Sequence, residues 1–300
     1  MEPYYYLASY PKSGNTWCRA YIAALHRQLE SAENNDPSPD LRLNQDLATG
    51  TIVSSRHWLD DQLGIDSADL RPEEIDKLRG QVGHQLALYS QSLRYHKVHD
   101  AFVSPDSGGR PVVPTEGCQG VVYVLRDPAD VAVSLSHFWG WDLERTVAFL
   151  LDPQACMVRS RKRAGSQVRQ SLGRWDQHLT SWCDQRLLPV LPLRYEDLLA
   201  DPEHQFRRLA TFLNLAAGSE ALALALEETR FKALRAKEEA AGGFVENSPH
   251  QERFFRSGRS GEGRERLSAD QLAQLQAAFA PTLAAYGYAA DRSLSTPLAS

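Results

Sequence analysis

Apolar residues along this chain recur in two rhythms. Tyr4–Ser9 is a run of strand formers, and the stretch after it carries Trp17, Ala20, Tyr21, Ala24 and Leu25 on one helical face. GVVYVLRDP, residues 120–128, has the unbroken apolar core Val121–Leu125 that suits a strand covered on both faces, and a helix is predicted from Ala129 to Phe138. RYHKVHDAFV, 94–103, also reads as a strand, as does Val190–Arg194, where Pro192 argues against a central place in a sheet. RPEEIDKLRGQV opens as a helix on Pro72 and two acids. Asp201-Pro202-Glu203 starts another helix, with Phe206, Leu209, Phe212 and Leu213 as its apolar face. Ser268 and Gln271 have capping-box spacing ahead of a last helix through Leu272, Leu275, Phe279 and Leu283. Strands alternating with helices predict an α/β fold with a central, mainly parallel sheet flanked by helices.

No internal repeat and no Gly/Ser linker interrupts the pattern, so a single domain over 1–300 is expected. Segments 31–93 and 139–175 are expected to be its variable acceptor or lid parts, and 289–300 a flexible tail. At 42% hydrophobic and 24% charged residues, the composition is that of a globular protein able to bury a core. The net charge of −5 argues against a general nucleic-acid or membrane binder, so any anion site is local. No signal-peptide pattern precedes Tyr4, and no apolar stretch approaches the roughly 18–20 residues that span a bilayer. Cys18, Cys118, Cys156 and Cys183 lack metal-site spacing. Reduced thiols, a cytoplasmic location and no metal are expected.

The strand Tyr4–Ser9 enters its helix through Lys12-Ser13-Gly14-Asn15-Thr16. Such a turn aims unpaired helix-start N–H groups at an anion, with Gly14 allowing close approach, Lys12 adding charge, and Ser13 and Thr16 adding hydroxyls. A triphosphate loop would need its lysine directly after the second glycine, whereas Lys12 comes two residues before this one. By itself the turn is equally consistent with a plain strand–helix junction bearing a solvated lysine. YPKSGNTW, residues 10–17, resembles the phosphosulfate loop YPKSGTTW of the sulfotransferases that use 3′-phosphoadenosine 5′-phosphosulfate (PAPS). YVLRDPADVAVSLSHF, 123–138, resembles that family's 3′-phosphate segment through Arg126 and Ser134. RYEDLLADP supplies Tyr195 on the adenine side, TRFKAL matches through Thr229 and Phe231, and FRSGRSGEG matches through Arg256, Gly258, Gly261 and Glu262. Ser257 stands where the family usually has lysine, with Arg259 as a candidate replacement; Gly263 stands where tryptophan is common and is expected to loosen its loop.

The resemblance implies a P-loop-NTPase-like three-layer fold, PAPS as donor with 3′,5′-diphosphoadenosine (PAP) as product, and a small-molecule acceptor. Lys12, Ser13, Gly14, Asn15, Thr16, Trp17, Arg126, Ser134, Tyr195, Thr229, Phe231, Arg256, Ser257 and Gly258 are the implied nucleotide contacts. The implied base lies in a Lys-x-His segment, here Lys97-Val98-His99, so His99 is the expected base and Lys97 a second cation. In an extended strand these two side chains share a face, with Val98 and His96 on the other. His57, His84 and His137 are expected to be structural or solvated. Lys12 would stabilise the leaving group, and Ser134 would hold that lysine aside before the acceptor binds. Phe102, Phe138, Trp139 and Trp141 either form an aromatic acceptor wall or pack under a loop. The basic run Arg159, Arg161, Lys162, Arg163, Arg169 and Arg174 is either an acceptor lid or a solvated loop. Alternatives are a carbohydrate or lipid sulfotransferase, a nucleotide kinase-like protein, or a silent nucleotide-binding module. The family's dimer motif has no match in RERLSADQLAQL, and a homodimer stays open.

Overall fold

Strands that are apolar on both faces need cover on both. The computed structural model, which describes residues 4–34, 40–47, 52–79, 94–103, 111–158 and 166–288, supplies it in three layers. Its strands are β1 (Tyr4–Ser9), β2 (Arg94–Val98), β3 (Cys118–Leu125), β4 (Cys156–Met157), β5 (Gln170–Ser171) and β6 (Val190–Arg194). The central sheet runs β2-β1-β3-β6, and every pairing in it is parallel. Side chains alternate between two cores. Tyr4, Tyr6, Ala8, Val121, Tyr123 and Leu125 pack on one side, against helices 128–139, 175–183 and 269–285. Tyr5, Leu7, Val122, Val124 and Leu193 pack on the other, against helices 15–34, 202–212 and 219–228. Fully burying each such Val or Leu stabilises the fold by roughly 1.5–3 kcal/mol. The both-face burial predicted for Val121–Leu125 is observed, and β6 with its Pro192 is at an edge of the sheet.

Two local outcomes differ from the sequence pattern. The helix Asn15–Asn34 is buried well beyond one stripe, because it lies between the sheet, helix 219–228 and the leucines at 41, 43 and 47. The strand expected over 94–103 stops at Val98. Asp100 ends it: its carboxylate accepts from Arg79 at 3.0 and 2.6 Å and from the Ser171 N–H at 2.9 Å. Arg79 comes from a helix over 72–79, the described part of the helix predicted from Pro72. The capping box of Ser268 and Gln271 is present as predicted. The tail 289–300 and His84 lie outside the described residues.

Candidate functional site

Parallel strands end on one edge of the sheet, and the turns leaving β1, β2 and β3 meet there around a cavity of ≈ 1170 Å³. The β1 turn needs two left-handed residues, Lys12 (φ 69°) and Gly14 (φ 108°). At Gly14 a Cβ would come within 2.7 Å of the Tyr195 ring, so glycine serves both the turn and the aromatic cover over it. Asn15, which replaces the family's threonine, donates to Leu7 O at 2.9 Å and ties the helix start back to β1. Ser13 Oγ, Asn15 Oδ1, Trp17 Nε1 and Arg126 Nε are buried without hydrogen-bond partners among the described residues. Buried polar atoms are rarely left so, and Asn15, Trp17 and Arg126 of this group line the cavity at the helix start.

Cations converge on that mouth. The Arg126 guanidinium lies 4.4 Å from the Tyr195 ring centroid and donates to Lys12 O at 3.3 Å and Arg259 O at 2.9 Å. Lys12 Nζ sits between the rings of Phe138 and Phe254, 4.3 and 4.2 Å from their centroids. In this state the lysine rests on aromatic faces, not on Ser134, although Ser134 lines the same cavity. Burial, then the charges of Lys97 and Arg126, hold the ammonium of Lys12 down at about 7. An incoming anion would reverse those last two effects.

Across the cavity stand Lys97, in β2, and His99, one residue past its end, sharing a side as the alternation predicts, while His96 is buried against Tyr4 and Tyr6. The Ser9 carbonyl lies 2.8 Å from His99 Nδ1 and can only accept, so Nδ1 carries the proton and Nε2 keeps its lone pair. The segment is braced from behind. His178 Nε2–H donates to His99 O at 3.0 Å, and the Tyr123 hydroxyl donates to His178 Nδ1 at 2.8 Å. Burial and then the neighbouring Lys97 push His99 down to about 3, far below the ordinary imidazole range, so it is neutral throughout the working range.

Tyr195, Trp17, Phe231, Arg256, Ser257 and Gly258 line the other limb of the cavity together with Gly14, Asn15 and Thr16. Ser13 and Thr229 are set back from it. The Thr229 hydroxyl is fully buried and donates to Ala225 O at 2.7 Å. Arg256 is held by the Glu262 carboxylate, which also accepts from Ser257 Oγ at 3.2 Å. Arg259 does not fill the place left by Ser257: its side chain is exposed and paired with Glu265 at 2.8 Å. Gly263 does not loosen its loop either. A Cβ there would come within 2.3 Å of the Ala129 backbone, and the N–H groups of Gly261 and Gly263 donate to Asp130 at 2.9 and 2.6 Å, so the segment is pinned directly on helix 128–139. Gly258 combines φ 63° with a Cβ position 2.3 Å from Phe231. Gly258→Ala is therefore expected to lower stability by at least about 1 kcal/mol and to weaken nucleotide binding, read as a lower Tm and a higher Kd. An unchanged Tm would refute this packing role.

Of the aromatic wall, only Phe138 reaches the cavity. Phe102 is buried against Trp182, while Trp139 and Trp141 pack with Phe149. Arg169 is tied to Asp76 and Glu73, and Arg174 pairs with Asp176, so neither is free to attract an acceptor. Arg159, Arg161, Lys162 and Arg163 lie outside the described residues. His57 is exposed beside Asp61, and His137 accepts from Arg266. The sequence reading missed Arg19, Lys232, Glu246 and Phe254, all of which line the cavity. Lys232 lies inside TRFKAL and Phe254 directly precedes FRSGRSGEG, whereas Arg19 and Glu246 belong to no motif quoted above. Among the described residues no cluster suited to a metal ion occurs, and no helix is long and apolar enough to cross a membrane.

Comparison with known proteins gives a consistent result. A family model described as a sulfotransferase domain matches residues 3–287. Sulfotransferase 1A1 of the dog is 29% identical over 173 residues, 56% of this chain and 56% of that protein, so the alignment spans only about half the relative's length. Sulfotransferase 2A6 of the rat is 22% identical over 297 residues, 93% of this chain and 84% of the relative. In three dimensions, retinol dehydratase in complex with androsterone and inactive cofactor PAP superposes with a TM-score of 0.62 at 17% identity, covering 99% of this chain and 84% of that one. A mouse sulfotransferase complexed with PAP gives 0.55 at 18% identity, covering 95% and 85%.

Proposed function

The chain belongs to the sulfotransferase family, and from that premise we propose that it is a single-domain enzyme that moves the sulfuryl group of PAPS to a hydroxyl or amine of a small molecule. The observation that carries the reading is the opening of an anion-binding turn, with Lys12 and Arg126, into the same cavity as a histidine whose Nε2 lone pair is free. The residues fit a nucleotide with two separated anionic ends. Unpartnered buried polar atoms and Lys12 gather at the helix start, and Arg126 and Ser134 at the next strand end, with Arg256 beyond. Trp17, Tyr195 and Phe231 offer aromatic faces to a base.

PAPS supplies an activated sulfur whose bond to a phosphate oxygen breaks as the bond to the acceptor oxygen forms, the electron pair leaving with the phosphate. His99 takes the acceptor's proton at Nε2 through a ring held by Ser9 O. Lys97 and Lys12 compensate negative charge on the two sides of the transfer, Lys12 at the departing oxygen. Ser134 lines the cavity on the same helix as Phe138 and is the hydroxyl on which Lys12 can settle when it leaves the aromatic pair. Apolar side chains of the 31–93 segment, Leu43, Leu47 and Ile52, with Phe244 opposite, line the remaining space and favour an acceptor with an apolar body.

The test is radiolabelled PAPS offered with phenols, alcohols, amines and glycosides. An acceptor-dependent labelled product, formed equally well with EDTA present and not replaced by ATP, is expected; magnesium-dependent use of ATP would favour the kinase-like alternative. On the binding side, Arg126→Ala removes charge-assisted hydrogen bonds worth roughly 1.5–3 kcal/mol. It should raise the Kd for PAP about ten- to hundredfold in calorimetry. Unchanged affinity would remove Arg126 from the nucleotide site.

A further inference from the structure

Glu246 belongs to no motif, yet among the described residues it is the one acidic side chain bridging two cations of the cavity wall. Its Oε1 accepts from Arg19 at 2.6 Å and its Oε2 from Lys97 Nζ at 2.8 Å, and the Glu246 side chain is only 20% exposed. Among the described residues this carboxylate is the sole hydrogen-bond partner of Lys97 Nζ. The bridge joins distant parts of the chain, since Glu246 and Lys97 are 149 residues apart in sequence.

The carboxylate is itself firmly seated. Phe244 beside it is buried against Phe254 and Phe255. Asn44 grips the same segment with both ends of its amide, donating to Gly243 O at 2.9 Å and accepting from the Val245 N–H at 3.0 Å. Arg19 is fixed in turn by the Leu47 carbonyl at 2.9 Å. Lys97, by contrast, is an ammonium on a flexible four-carbon stem, and a buried ammonium without a counter-charge either deprotonates or turns away. Burial does depress Lys97, and the Glu246 carboxylate opposes that effect. Burial likewise raises the Glu246 carboxyl, but Lys97 and Arg19 outweigh it and hold it at about 2, so the carboxylate is charged at every working pH.

We propose that Glu246 is a positioning residue for the transfer step: its carboxylate keeps the Lys97 ammonium charged and fixed beside the imidazole of His99, where oxygens of a moving sulfuryl group would meet it. This rests on the sulfuryl-transfer reading above. Glu246 touches neither donor nor acceptor in this role and acts through Lys97. The charged and titratable groups concerned are Arg19, Glu246 and Lys12 around Lys97, and Lys97, Glu246 and His178 around His99.

The experiment compares wild type, Glu246→Gln, Glu246→Asp, Lys97→Met and the Glu246→Gln/Lys97→Met pair, by PAP calorimetry and by transfer from radiolabelled PAPS to p-nitrophenol. Glu246→Gln is expected to lower kcat by up to about 10²-fold, as misplacement of a reacting group does, with the Kd for PAP unchanged. Its alkaline limb should move to lower pH, because Lys97 loses the charge that keeps it protonated. In the Lys97→Met background the same substitution should have little further effect. Undiminished kcat in Glu246→Gln, or a loss as large with Lys97 as without it, overturns the proposal. Should Glu246→Gln not fold, Glu246→Asp decides: it keeps the charge but cannot span both cations, so reduced kcat at normal PAP affinity supports the role and full kcat refutes it. A wild-type protein that neither binds PAP nor transfers label would fell the functional reading itself, whereas an active wild type with an equally active Glu246→Gln variant defeats this inference alone.

Discussion

His99→Ala is expected to retain PAP affinity and lose about 10²–10⁴-fold in turnover, the usual cost of removing a general base. Calorimetry with PAP and single-turnover transfer from radiolabelled PAPS separate the two effects. The geometry makes the expectation specific. Nδ1 is committed to Ser9 O, so Nε2 alone can accept a proton, and the backbone behind the ring is held by His178. The pH dependence follows from the depressed value of about 3, set first by burial and then by Lys97. Because the imidazole is already neutral well below pH 5, activity should not show an acid limb near 6.5. A limb there in wild type that vanishes in His99→Ala would contradict this electrostatic account. Near-normal turnover in His99→Ala would end its assignment as base. A neutral imidazole of low basicity is a weak base in the empty site, but negative charge drawn against Lys97 offsets the second of the two depressing effects and strengthens it when it is needed.

What the sequence disclosed about this site depended on how local the physics was. The turn at Lys12–Gly14, the strand–helix junction at Arg126 and the Lys97–His99 alternation are decided within a few residues, by backbone conformation and strand period. Their placement around one cavity follows from parallel strands ending on the same edge. The end of β2 was not legible, because it is set by Arg79, a residue of another segment that holds Asp100. Gly263 was misread for a related reason. In sequence it is a missing tryptophan, but in space it is the contact that lets one helix lie on the backbone of another. Arg259 had the right charge and the wrong direction, drawn outward to Glu265. Glu246 had no local signal at all, since its meaning comes entirely from two cations far away in the chain.

Lys12→Met is the second substitution for which a large effect is expected, and it separates the role of charge from that of packing. Methionine can fill the slot between Phe138 and Phe254, so the fold and the aromatic pair should be retained while the ammonium is lost. If Lys12 neutralises the departing phosphate oxygen, kcat should fall by about 10²–10³-fold, comparable to removing a preorganised transition-state donor. The linkage adds a signature that no structural defect would mimic. In the free protein the ammonium is held at about 7, by burial first and then by Lys97 and Arg126. A bound phosphate raises that value, since the charged form gains a partner. Below about pH 7 the lysine is protonated before and after binding, and PAP affinity should be flat. Above it the free protein must take up a proton to bind, so affinity should fall by about tenfold per pH unit until the bound-state value is passed. Calorimetry at pH 8 in buffers of different ionisation heat should register close to one proton taken up by wild type and less in Lys12→Met. Equal uptake in both would assign the proton to another group and leave Lys12 a spectator of binding.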